Sequence, residues 1–214
     1  MKALRLSLGD RPLKILCLGA HSDDIEIGAG ATLLTLTSQY RETEITWVVM
    51  SAMDERAKEA QRGAELFAPG AEVQLEEFPD GRFPMHLDRL KETFADLGRR
   101  CDPDVVFTHT EYDRHQDHRA VSELTWQTWR DHLILEYEIP KFDGDLRTPN
   151  AYVEVDRATV DLKARLLEEA FDSQTSKPWF GAETFRGLMR IRGVECRAAS
   201  GFAEGFHMRK TRIA

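Results

Sequence analysis

The chain is poor in cysteine. Its three cysteines, Cys17, Cys101 and Cys196, form an odd, widely spaced set with no Cys-x-x-Cys, which points to a reducing cytoplasm rather than a disulfide scaffold. Long apolar runs are missing too. None approaches the roughly 18 residues needed to cross a bilayer, and residues 1–13 carry charges without a signal-like apolar core, so the expectation is a soluble, cytoplasmic protein with no membrane insertion. Positive charge is in deficit: 29 Lys plus Arg against 37 Asp plus Glu give a net charge of -8. That balance argues against a nucleic-acid surface built on phosphate contacts, but leaves a small anionic substrate open. The dinucleotide fingerprint is incomplete, because Gly28-Ala-Gly30 is followed by Leu33 where a third glycine belongs, and those glycines fall within a predicted helix. Repeats, low-complexity linkers and obvious boundaries are lacking as well, and 214 residues, 42% of them hydrophobic, suit one domain over 1–214 with one sizeable core.

What the chain does have is an apolar run that stops at a histidine and two adjacent carboxylates. Ile15, Leu16, Cys17 and Leu18 are too few for a helix and too continuously apolar for a one-sided strand, which predicts a strand buried on both faces of a parallel sheet. Gly19 and Ala20 follow, and from about Ile25 the spacing of Ala29, Leu33, Leu36 and Tyr40 is helical. His21, Asp23 and Asp24 therefore fall on a strand-to-helix loop, where open α/β sheets place their ligands. An imidazole and two carboxylates can supply nitrogen and oxygen ligands to a metal ion and leave one carboxylate for proton transfer. A catalytic zinc normally takes three protein groups, so a further histidine cluster is required. The stretch from Asp104 to His118 supplies one: an apolar run, a polar loop, then His115, Asp117 and His118 before another helical pattern. The two loops meet if their strands are neighbours.

Ala20-His21-Ser22-Asp23-Asp24 and His115-Gln116-Asp117-His118 resemble the paired motifs of the LmbE-like, or PIG-L, zinc-dependent deacetylases. Weaker echoes occur at Arg56-Ala-Lys-Glu59, Pro79-Asp-Gly81, Ser173-Gln174 and Ala203-Glu-Gly-Phe206. The family usually has proline where this chain has Ser22 and Gln116, positions that supply no ligand. The resemblance implies a Zn2+ site, with other divalent transition metals as alternatives, held by His21, Asp24 and His118. It implies Asp23 as general base, His115 as donor to the oxyanion, and Asp117 as hydrogen-bond partner of an imidazole. The implied reaction is hydrolysis of an N-acetyl group on an N-acetylglucosamine-type sugar or conjugate, with Arg56 and Arg82 as candidates to bind sugar hydroxyls or an attached phosphate, and a homo-oligomer as the implied assembly. Competing readings are a two-metal phosphoesterase and a sugar-binding module that keeps the metal without turnover.

The remaining pattern predicts an α/β, Rossmann-like three-layer sandwich with a mostly parallel sheet. Strands are expected at 44–51, 71–75, 133–138 and 151–155, and helices at 54–67, 87–97, 157–171 and 182–196, the last despite Gly187 and Gly193. Segments 78–84 and 140–149 are expected to be loops that govern selectivity. His86, His132 and His207 are expected in structural or solvated roles, and His109 lies at a predicted strand end where packing and support of the site are both open. The Trp126 and Trp129 pair is expected in the core.

Overall fold

The structure, a computed structural model, describes residues 11–40 and 42–212; the charged segment 1–10 lies outside them. β1 (Leu13–His21) is the middle one of the five parallel strands, and its alternation explains the apolar run from Ile15 to Leu18. Leu13, Ile15 and Cys17 point into one core cluster and Leu16, Leu18 and Ala20 into the other, so from Ile15 to Ala20 neither side of the strand meets water. β2 (Thr43–Ser51) and β3 (Glu72–Leu75) extend the sheet on one side, and β4 (Val105–His109) and β5 (Leu133–Tyr137) on the other. All five run parallel.

The far edge differs from the predicted pattern. β6 (Ala151–Glu154) does not pair with β5; β7 (Ala203–His207) inserts between them, antiparallel to both, giving the order β3-β2-β1-β4-β5-β7-β6. The sequence Ala-Glu-Gly-Phe-His carries too little apolar alternation to be read as a strand, yet all five residues are buried.

Helices cover both faces, completing the three-layer α/β sandwich. α1 (Asp24–Gln39), α2 (Asp54–Phe67), α5 (Arg157–Ala170) and α6 (Ala182–Cys196) pack on one side, and α3 (Leu87–Arg100) and α4 (Gln116–Thr128) on the other. Asp156 caps α5 by accepting the Thr159 amide at 2.7 Å. Segment 78–84, expected as loop, leads into a short 3-10 turn at Phe83–His86. Trp129 is in the core, while Trp126 is only partly buried, against its edge.

α1 lies unusually close to the sheet. Gly28 faces Tyr137, and a Cβ there would come within 2.2 Å of the ring. The ring is fully buried and its hydroxyl donates to the Leu18 carbonyl at 2.7 Å, so it has no free direction in which to retreat. Gly28→Ala is therefore expected to lower the free energy of unfolding by about 1–3 kcal/mol, read by urea denaturation; an unchanged midpoint would mean that α1 is free to move off the sheet.

Candidate metal centre and active site

β1 and β4 are adjacent, in register with Cys17 opposite Phe107, so the loops that follow them start side by side at the carboxyl edge of the sheet. His21 ends β1 and Asp24 opens α1. The His21 amide donates to Asp24 Oδ2 at 2.6 Å, which folds the carboxylate back beneath the imidazole. From the neighbouring loop His118, in the first turns of α4, brings Nε2 to 3.1 Å from His21 Nδ1. Asp24 Oδ2 is 3.3 Å from His21 Nδ1 and Oδ1 is 3.5 Å from His118 Nε2. Two ligand atoms bound tetrahedrally at about 2.0–2.2 Å lie about 3.3–3.6 Å apart, so these spacings suit a small divalent ion. His21, His115 and His118 also come together, as do Asp24, His109 and His118, and His21, Asp80 and Asp117.

The protonation chemistry fits as well. Asp113 Oδ2 lies 2.8 Å from His118 Nδ1, and its carboxyl is held well below the usual range: burial raises it, but His118, His109 and Lys141 outweigh that effect. An ionised carboxylate can only accept, so His118 Nδ1 donates and Nε2 turns its lone pair toward His21 and Asp24. Burial, together with His109, pushes the His118 pKa down to about 4, which keeps the ring neutral and able to bind a metal. His21 goes the other way. Burial lowers its pKa, but Asp117, Asp24 and Asp80 carry it well above the ordinary value. The field that favours a proton on His21 is the field a divalent cation would experience.

Around these three groups stand the supports. Asp117, fully buried, accepts the Gly81 and Phe83 amides at 2.7 and 3.0 Å and lies 3.4 Å from His21 Nε2; the exposed Asp80 is 3.0 Å from the same nitrogen. His109, wholly buried, stacks on His118 with ring centroids 3.9 Å apart and places Nε2 at 3.1 Å from Asp24 Oδ2, a supporting position. His115 caps α4, its Nδ1 accepting the Asp117 amide at 3.3 Å.

The cavity above has a volume of about 370 Å³. Its floor includes His21, Asp23, Asp24, His115 and His118, and its wall includes Met53, Arg56, Lys141, Gln174, Lys177 and Trp179. Asp23 is buried, and its pKa is raised by burial, with Arg56 pulling against that and Asp24 adding to it. Arg56 donates to Asp23 Oδ1 at 2.8 Å and to Glu59 Oε2 at 2.6 Å, so its guanidinium serves carboxylates of the chain. Glu59 in turn accepts the Ser173 amide and hydroxyl at 2.8 and 2.7 Å, joining the Arg56/Glu59 and Ser173/Gln174 echoes into one network. Arg82 is exposed and does not line this cavity. Lys141, on segment 140–149, pairs with Asp145 at 2.7 Å and Asp113 at 3.0 Å, tying that loop to the histidine cluster.

Sequence reasoning missed Asp113, Lys141, Lys177 and Trp179. Asp113 carried a usable signal, an acid five residues before His118 in the same polar loop; the other three follow β5 and α5 and are joined to the site only by tertiary structure.

A protein-family model described as PIG-L, GlcNAc-PI de-N-acetylase, matches residues 16–129. The chain is 32% identical over 146 residues to the uncharacterized deacetylase YaiS of Escherichia coli K12, covering 63% of this chain and 78% of that protein. Among solved structures it is similar in fold to the N,N'-diacetylchitobiose deacetylase of Pyrococcus horikoshii, with 20% identity, TM-score 0.69 and coverage of 91% of this chain and 83% of that one. It is also similar in fold to GalB, the 4-carboxy-2-hydroxymuconate hydratase of Pseudomonas putida KT2440, with 19% identity, TM-score 0.74 and coverage of 94% and 98%. The hydratase shows that this architecture hosts more than one reaction. The match over both histidine motifs decides the lineage: the chain belongs to the PIG-L family.

Proposed function

We propose that residues 1–214 act as a single zinc-dependent deacetylase domain in the cytoplasm, hydrolysing the N-acetyl group of an N-acetylglucosamine-type sugar or conjugate to acetate and a free amine. The observation that carries this reading is the convergence of His21, Asp24 and His118 on one point, with the buried carboxylate of Asp23 beside them at the cavity floor. The family description and the sugar deacetylase of similar fold support the substrate class.

His21 Nδ1, Asp24 and His118 Nε2 are the proposed ligands. A divalent ion held there supplies a Lewis acid that polarises an amide carbonyl and brings the pKa of water to about 7. Asp23 takes the proton from the attacking water, and as the carbon–nitrogen bond breaks a proton passes to the departing amine from Asp23 or His115. The pKa of Asp23, raised by burial, makes it a better base than an exposed carboxylate, and Arg56 fixes which oxygen faces the cavity. His115 is the proposed donor to the charge that develops on the carbonyl oxygen. Because its Nδ1 accepts the Asp117 amide, the neutral ring carries its proton on Nε2, free to donate. Asp117 holds His21 from the far side while pinning the Gly81–Phe83 backbone, a positioning role.

Asp23→Asn is expected to retain zinc and lose about 10²–10⁴-fold in kcat for acetate release from N-acetylglucosamine conjugates, followed by mass spectrometry; full activity in that variant would remove Asp23 as the base. Asp113→Ala removes the acceptor that orients His118, and zinc affinity is expected to fall by about 10–100-fold in chelator competition. Wild-type affinity there would show that His118 needs no such partner.

A further inference from the structure

The first ten residues of α1 are buried, and within its continuous helical span two amides and one carbonyl are engaged by a charged pair from elsewhere in the chain. In a helix the Ala31 and Thr32 amides point toward the carbonyls of Ile27 and Gly28. Both also donate to the Glu204 carboxylate, Ala31 to Oε1 at 3.0 Å and Thr32 to Oε2 at 2.7 Å. The Ile27 carbonyl receives Lys163 Nζ at 2.5 Å, and the same ammonium reaches Glu204 Oε1 at 2.5 Å. Glu204 comes from β7 and Lys163 from α5, and both are almost wholly buried. Neither lines the active-site cavity.

We infer that the Lys163–Glu204 pair is a positioning device that splits α1 electrically into a first turn and a body, and so sets the pose of Asp24. The carboxylate caps the amino end of the body from Ala31 onward, and the ammonium caps the carboxyl end of the turn Asp24–Ile27, each charge complementing the local helix dipole. Asp24 is one helical turn from the capped carbonyl, and its oxygens must meet His21 and His118 to within a few tenths of an ångström to share an ion. Stability alone is a weak reason to retain such a pair: apolar side chains of similar volume usually replace a buried ion pair without loss. What they cannot do is bind two helix amides and a carbonyl at once. Gly28 permits the arrangement, because the helix body is seated against Tyr137 with no room to slide.

The inference rests on the deacetylase reading only through Asp24. Its test is the double variant Lys163→Met with Glu204→Leu, which leaves no unpaired charge, compared with Lys163→Met with Glu204→Gln, which keeps an acceptor for one helix amide. The apolar pair is expected to bind zinc about tenfold or more weakly by chelator competition, and to lose kcat with KM unchanged; the glutamine pair is expected to recover part of both losses. Wild-type zinc affinity and kcat in the apolar pair would overturn the inference. Should that variant not fold, Glu204→Gln alone carries the test, with unchanged zinc affinity as the contrary result. A wild-type chain that binds zinc but releases no acetate would sink the deacetylase reading and leave the zinc comparison intact.

Discussion

Everything at the site depends on the parallel pairing of β1 with β4. Ile15, Leu16 and Cys17 lie opposite Val105, Val106 and Phe107, and this short register carries two loops, separated by almost a hundred residues of chain, to the same point on the sheet edge. The pairing is held by burial on both faces: the six side chains and their neighbours are removed from water, each large one contributing about 1.5–3 kcal/mol relative to exposure. A strand facing water on one side would need polar residues at alternate positions. With apolar residues throughout, polarity returns only at the ends, and there it is concentrated in His21 and His109.

That concentration of charge has a cost that the surrounding groups offset. Asp24, Asp113 and Asp117 are all buried, and isolated ions in such a place would be strongly unfavourable. Each instead faces an opposite charge or a backbone donor: Asp117 takes two amides, Asp113 takes an imidazole, a lysine and the His115 amide, and Asp24 sits among three imidazoles. The result is an arrangement in which His118 is pushed to neutrality and His21 toward positive charge. Opposite shifts of chemically identical groups, set by burial and specific charge partners in a cleft, make this cluster a functional-site candidate.

Much of this was legible from residue order. The buried strand at Ile15–Leu18, the two histidine-acid loops and the helices at 54–67 and 182–196 follow from periodicity and from abrupt transitions between apolar and polar sequence, and the structure places elements there. β7 was not legible, because Glu204 and His207 look like surface residues until their partners on α1, α5 and the loops are known. Arg56 and Arg82 show the same limit from the other side. Both read as candidates to meet a substrate; Arg56 lines the cavity while pairing with Asp23 and Glu59, and Arg82 lies outside the cavity wall. Sequence reports which charges exist; only tertiary contacts report which are already neutralised.

The central claim is that His21, Asp24 and His118 share one ion with Asp23 left free beside it. Anomalous diffraction at the zinc edge from zinc-soaked crystals tests it most directly. One ion is expected about 2.0–2.2 Å from His21 Nδ1, an Asp24 oxygen and His118 Nε2. An ion held instead by Asp80 and Asp117 without Asp24, or coordinated by Asp23, would contradict it.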